Sequence, residues 1–182
     1  MYEVEGAVQT GSQTALGQNH EAYFGTLGVG RKLSNLGWKP QLWFYYDVAT
    51  GDDAATADTF ERGNQLFPLA HKYLGFIDAV QRSNVSSPNV RLTMAPTDKL
   101  SLLLWYYNFQ AAEASDVIPG IGGTPAQDPN SKDFGNELDF IATYKINPRR
   151  SVLLGYSHFW AGDKIIGGQD ADFFYVQFTS NF

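Results

Sequence analysis

Apolar and polar residues alternate along most of this chain with a period of two, the signature of strands that present different faces to different surroundings. Eight segments carry the pattern. In the first, 2–10, Tyr2, Val4, Gly6 and Val8 face one way, and Glu3, Glu5, Ala7 and Gln9 the other. The second, 20–32, is Gly-rich, and its faces stay unassigned. In the third, 39–49, Leu42, Phe44 and Tyr46 oppose Gln41, Trp43, Tyr45 and Asp47. The fourth, 88–96, sets Val90, Leu92 and Met94 against Asn89, Arg91 and Thr93. The fifth, 99–110, sets Leu100, Leu102, Leu104 and Tyr106 against Ser101, Leu103, Trp105 and Tyr107. The sixth, 136–147, has Leu138, Phe140, Ala142, Tyr144 and Ile146 against Glu137, Asp139, Ile141, Thr143 and Lys145. The seventh, 150–160, has Val152, Leu154, Tyr156 and Trp160 against Ser151, Leu153, Gly155, Ser157 and Phe159. The eighth is the C-terminal segment 171–182.

The links between these segments alternate in length. Those at 33–38, 97–98 and 148–149 are short, and Asn147-Pro148 and Pro96-Thr97-Asp98 are ordinary turn chemistry. Those at 11–19, 50–87, 111–135 and 161–171 are longer. A barrel with short turns at one rim and long loops at the other has this asymmetry. Both ends of the chain then fall at the short-turn, periplasmic rim. The loop 50–87 is too long to be structureless. It opens on the polar tip Gly51-Asp52-Asp53, and Leu69, Tyr73, Phe76, Ile77 and Val80 follow near helical spacing, which predicts a short amphipathic helix within 66–80. That helix is expected over or in the barrel mouth, as a space-filling plug or as a constriction that selects solutes. Loop 111–135, with Pro119-Gly120-Ile121-Gly122-Gly123-Thr124-Pro125, reads as flexible and exposed.

The terminal segment decides which solvent the apolar face meets. Phe174, Val176, Phe178, Ser180 and Phe182 share one face; Phe173, Tyr175, Gln177, Thr179 and Asn181 share the other. Its length suits a tilted strand crossing a bilayer, greasy outside and mostly polar inside. A last strand ending in an aromatic such as Phe182 resembles the terminal strand of bacterial outer-membrane barrels, where it serves as an assembly signal. The expected partners are therefore outer-membrane lipid and the barrel-assembly machinery, and the expected location is the outer membrane of a Gram-negative-type bacterium. The 182 residues are expected to form one domain, 1–182: all-β, an antiparallel transmembrane β-barrel of about eight strands. Met1 runs straight into strand-like sequence, and an outer-membrane protein must be exported. The expectation is a processed form or, preferably, the C-terminal piece of a longer chain.

Composition narrows the chemistry. Aromatic residues are 15% of the chain: 13 Phe, 10 Tyr and 4 Trp. No run approaches the ~20 apolar residues of a spanning helix, a test that alternating strands evade. The net charge of −6 argues against nucleic acid. With no Cys there is no disulfide, thiolate metal site or thiol catalysis. His20, His71 and His158 lie on separate segments without ligand spacing. Asp52, Asp53 and Asp58 lack the ligand spacing of a calcium loop, and a solvated tip is the simpler reading. Gly28-x-Gly30 precedes no helix, and no nucleophile motif accompanies the Ser and His residues. No catalytic residue, metal or cofactor is expected, and the chain reads as a non-enzyme.

Several landmarks fall in a recognisable order: Lys39-Pro40-Gln41-Leu42-Trp43-Phe44-Tyr45-Tyr46-Asp47-Val48-Ala49-Thr50-Gly51-Asp52; Phe67-Pro68, His71-x-Tyr73-x-Gly75, Asp78 and Asn84; Asn89-Val90-Arg91-Leu92, Pro96, Lys99-Leu100 and Tyr106-Tyr107-x-Phe109; Gly135-x-Glu137-Leu138-Asp139; Gly155-Tyr156-Ser157-x-Phe159. Together, from Val29 to Phe182, they resemble the alginate export family of outer-membrane proteins. The resemblance implies a porin or exporter that passes polysaccharide or small solutes, built as a monomeric barrel of conventionally eighteen strands. This chain would supply its C-terminal part. The alternative is a complete eight-stranded barrel with a structural or adhesive role and no conducting pore.

Candidates for the lumen and substrate path are Arg31, Trp43, Tyr45, Asp47, Arg91, Trp105, Tyr107, Glu137, Asp139 and Lys145. A polyuronate path needs positive charge, which Arg31, Arg91 and Lys145 would supply, with Arg149 and Arg150 at the rim. Glu3, Glu5, Asp47, Glu137 and Asp139 stand against them. The same charges equally read as ion pairs bracing the wall. The aromatic residues suit either a packed narrow lumen or a sugar-stacking wall.

Overall fold

A computed structural model describes residues 1–13, 17–53, 55–56, 58–67, 71 and 73–182. The alternating segments form antiparallel strands: β1 (Tyr2–Gln13), β2 (Gln18–Lys32), β3 (Gln41–Ala49), β5 (Val85–Met94), β6 (Leu100–Ala111), β7 (Asp133–Asn147), β8 (Arg150–Ala161) and β9 (Ala171–Ser180). They pair in chain order, each with its neighbours. A ninth, two-residue strand that the sequence pattern did not indicate, β4 (Thr59–Phe60), lies parallel to the start of β2. The sheet runs from β1 to β9 as its two edges; closure of these edges onto each other is not part of the pairing among the described residues.

The two faces of this sheet invert the arrangement of a water-soluble one. Phe44, Leu154, Phe174, Val176 and Phe178 lie on one face and are exposed, Phe174 to 67% and Phe178 to 60%. Glu137 and Asp139, on the opposite face, are 0% exposed. The apolar face also carries a repeated tyrosine arrangement. Tyr46 on β3 hydrogen-bonds Ser86 on β5 through their hydroxyls (2.8 Å). The Tyr106 hydroxyl on β6 donates to Asn136 on β7 (2.8 Å), and that of Tyr156 on β8 to Asp172 on β9 (2.6 Å). In each case the partner stands two residues nearer the long-loop end than the residue paired with the tyrosine.

The other face is covered by the chain between β3 and β5. Leu74 and Val80 bury in one cluster with Tyr107, Phe109 and Phe159, and Phe76 stacks on Tyr175. The helix expected in 66–80 is absent among the described residues, and Leu69 and Pro68 fall outside them. His71, Leu74, Gly75 and Asp78 have φ of 55°, 58°, 93° and 63°, a left-handed conformation that no right-handed helix accommodates. The backbone N–H groups of Phe76 and Ile77, which a helix would pair internally, instead donate to the Glu137 carboxylate (2.7 and 2.9 Å). The near-helical spacing of apolar residues reflects a loop laid on a wall.

The loop 111–135 is also more anchored than its glycines suggest. Ile118 is fully buried, and Gln127 brackets it by accepting its N–H and donating to its carbonyl (2.9 and 2.8 Å). The tip at 122–126 is exposed, as are Ser115, Pro129, Asn130 and Lys132. Lys164, fully buried, donates through Nζ to the carbonyls of Ala114, Asp128 and Ser131 (2.7, 3.2 and 3.2 Å), tying this loop to the one after β8.

Candidate functional site, a polar wall beneath a loop

The loop-covered face is assembled from alternate residues of neighbouring strands. Trp43 lies opposite Gly30 and Tyr45 opposite Gly28. Both rings lie flat against the glycine across the strand, where any Cβ would collide with them. Tyr175 covers Gly155 in the same way. A ladder of rings follows: Trp43–Tyr45 at 5.3 Å, Tyr45–Trp105 at 6.1 Å, Trp105–Tyr107 at 5.1 Å and Tyr107–Phe109 at 5.3 Å.

Arg91 sits inside this ladder. Its guanidinium is 5.6, 5.0 and 4.9 Å from the ring centres of Trp43, Tyr45 and Trp105, within cation–π range. It donates to the Tyr45 hydroxyl (2.7 Å), which donates to Glu3 on β1 (3.0 Å). Asp47 anchors a second network. It accepts from the Thr26 hydroxyl and from Asn89 (2.8 Å), and Asn89 accepts the Trp105 indole N–H (2.8 Å). Arg82, from the covering loop, bridges Glu5 (3.2 Å) and Asp47 (3.5 Å) across the Phe24 ring. Glu3, Glu5, Asp47 and Arg91 therefore brace the wall.

Tyr107, Glu137 and Asp139 form the deepest part. All are fully buried, with Tyr107 opposite Glu137 and Ser157 opposite Asp139. The loop lies directly on them: a Cβ at Gly75 would strike the Glu137 carboxylate. Lys145 shares the inner face but stands exposed at the short-turn end. Arg31 is set apart from the group. It pairs with Leu42 and shares the outer face with Leu27 and Val29.

Residues that were not among the lumen candidates complete the site. Arg82, Gly75 and Phe76 come from the loop, and Asn89 and Ser157 from inner-face strand positions. Above the wall, Asp116 takes the Arg62 guanidinium in a two-point contact and the Asp52 N–H (2.8 Å). The Asp116 carboxylate raises the Arg62 pKa, and burial lowers that of Lys164. His71 pairs with Asp78 (2.9 Å) and His158 with Asp172 (2.8 Å), on opposite sides of the sheet. Among the described residues no three His, Asp or Glu side chains converge as metal ligands.

The protein is thus an all-β antiparallel sheet with one apolar, exposed face and one polar and aromatic face on which a loop is laid. The chain belongs to the alginate export family, whose model, described as "Alginate export", matches residues 1–177. No curated protein matches it. Membership of an export family points to transport at the outer membrane.

Proposed function

We propose that this chain forms the wall of an outer-membrane porin or exporter of the alginate-export type, passing polysaccharide or small solutes. The observation that carries the reading is the inverted sheet, with Phe174, Val176 and Phe178 exposed and Glu137 and Asp139 sealed inside. In water such an outer face is an aggregation surface. In lipid it is the arrangement a strand must have. Its partners on this reading are outer-membrane lipid along the apolar face and the barrel-assembly machinery at the C-terminal strand. Its location is the outer membrane of a Gram-negative-type bacterium.

The wall's own charges favour neutral sugars or small solutes over a polyuronate. A polyanion path requires accessible cations. Arg91 is enclosed by three rings, Arg82 is matched by two carboxylates, and Arg31 faces outward. The ring ladder offers stacking surface to a sugar. A second reading, a non-conducting barrel with a structural or adhesive role, draws support from the complete burial of Tyr107 and Phe109 under the loop.

Conductance of the complete protein in planar bilayers tests the choice. Discrete steps, cation over anion selectivity and block by neutral oligosaccharides in preference to oligouronates are expected. Silence in both the wild type and a loop-loosened Gly75→Val variant would leave the non-conducting reading.

A further inference from the structure

β6, β7 and β8 bring four oxygen-bearing side chains together beneath the loop: Tyr107, Glu137, Asp139 and Ser157. All four are fully buried. Five of their oxygens have no hydrogen-bond partner: the Tyr107 hydroxyl, Glu137 Oε2, both carboxylate oxygens of Asp139, and Ser157 Oγ. Neither carboxylate takes part in any ion pair among the described residues. The surroundings seal the cluster. The Phe76 and Ile77 N–H groups hold Glu137 Oε1, Gly75 rests on the same carboxylate, and Tyr175 stacks on Phe76 (6.3 Å).

Two carboxylates sealed from water need a compensating positive charge. A shared proton would satisfy one contact between Glu137 and Asp139. Ser157, opposite Asp139, would then donate to that carboxylate. A hard cation adds the full positive charge that neither the shared proton nor the hydroxyls supply to two carboxylates. Ca2+ takes about six to eight oxygen ligands in a flexible geometry, whereas Mg2+ keeps its waters and demands a strict octahedron. Two carboxylate charges match a divalent ion, and two hydroxyls on flanking strands complete an all-oxygen lining.

We propose that Glu137, Asp139, Tyr107 and Ser157 form a calcium site behind the loop. Glu137 then serves both sides, one oxygen on the loop backbone and the other on the ion, so occupancy steadies the seat of the loop.

The test uses the complete protein refolded in detergent and stripped with a chelator. Tb3+ is titrated under aromatic excitation, and Ca2+ is followed by the thermal midpoint. Tyr107 belongs to the site and Trp105 pairs with Asp139, so sensitised Tb3+ emission should rise, saturate and be displaced by Ca2+. Ca2+ alone should raise the midpoint. Asp139→Asn should lose both signals, while Asp53→Asn, in the polar loop tip, keeps them. If Asp139→Asn does not refold, Tyr107→Phe and Ser157→Ala carry the test, each weakening Ca2+ about tenfold. Emission unaltered in all three variants would mark surface carboxylates only and overturn the site. A midpoint indifferent to Ca2+ and responsive to pH alone would overturn it too, in favour of the shared proton.

Discussion

The upper and lower halves of the loop-covered face are built by the same strands, yet one is packed shut and the other stands open. Toward the long loops, Tyr107, Phe109, Glu137 and Ser157 are fully buried under Leu74, Gly75 and Phe76. Toward the short turns, a cavity of about 390 Å3 remains, lined by Gln41, Thr93, Ser101, Thr143 and Leu153 with Phe76 among its walls. The strand pattern is continuous through both halves. What differs is the returning chain, which reaches only the upper half and stops there. Whether this wall is blocked is decided by loop residues, and the strands alone would leave it open throughout.

The largest expected effect tests the faces on which this contrast rests. Phe140→Arg, on the outer face of β7, should cost about 2–4 kcal/mol in lipid if it lies near mid-bilayer. Thr143→Arg, three residues along on the open lower wall, should stay within about 0.5 kcal/mol. Equal costs in an unfolding titration would erase the distinction between outside and inside. Next in size is Gly75→Val, which combines a φ of 93° with a collision against Glu137. A cost of about 1–3 kcal/mol is expected. Protease cleavage in 61–82 should accelerate while the sheet keeps its circular dichroism. An uncut loop would mean that the upper half holds its cover by other contacts.

Lys164→Met sharpens the picture of the loops above the wall. It removes three donations to carbonyls but also a buried charge, for a net loss of about 1 kcal/mol. Its pH dependence has a definite sign. Burial lowers the Lys164 pKa in the folded protein, so between that value and the ordinary lysine value the unfolded chain binds this proton more tightly. The contribution of Lys164 to stability therefore rises with pH across that window. Urea titrations should show the wild type gaining on the variant as pH approaches about 10.4; a gap that narrows contradicts the assignment. The smallest effect is expected from Tyr156→Phe, whose exposed hydroxyl donates to Asp172: an unfolding titration should barely separate it from the wild type. A clearly resolved loss would show that the outer tyrosines bear more of the fold than their exposure indicates.

The strands were legible because their alternation is set by what each face touches. In β6 and β7 the inner and outer sets read from the sequence are those the structure shows, Trp105 and Tyr107 inside against Leu104 and Tyr106. The short links at 97–98 and 148–149 likewise sit where β5 meets β6 and β7 meets β8. The loop was not legible, since its conformation depends on a carboxylate some sixty residues away in sequence. Helical spacing of apolar residues is ambiguous when the partner surface is unknown. Arg31 was misplaced for a related reason: β2 has too few side chains for its alternation to show. A signal was present all the same. Trp43 and Tyr45 need bare backbone opposite them, so Gly28 and Gly30 mark the inner face and Arg31 falls outside. Arg82 carried no signal that distinguished it from any other loop cation.

The three outward tyrosines have a consequence for how such a wall would float. Each keeps its ring among apolar neighbours and turns its hydroxyl toward the long-loop rim, onto Ser86, Asn136 or Asp172. A ring that prefers hydrocarbon joined to a hydroxyl that prefers water settles at the boundary between them. On the proposed outer-membrane reading, three such groups spread over β3, β6 and β8 would draw a waterline across the sheet. The depth of immersion would then be written into the strands, and the loops above could lengthen, shorten or move without lifting or sinking the hull.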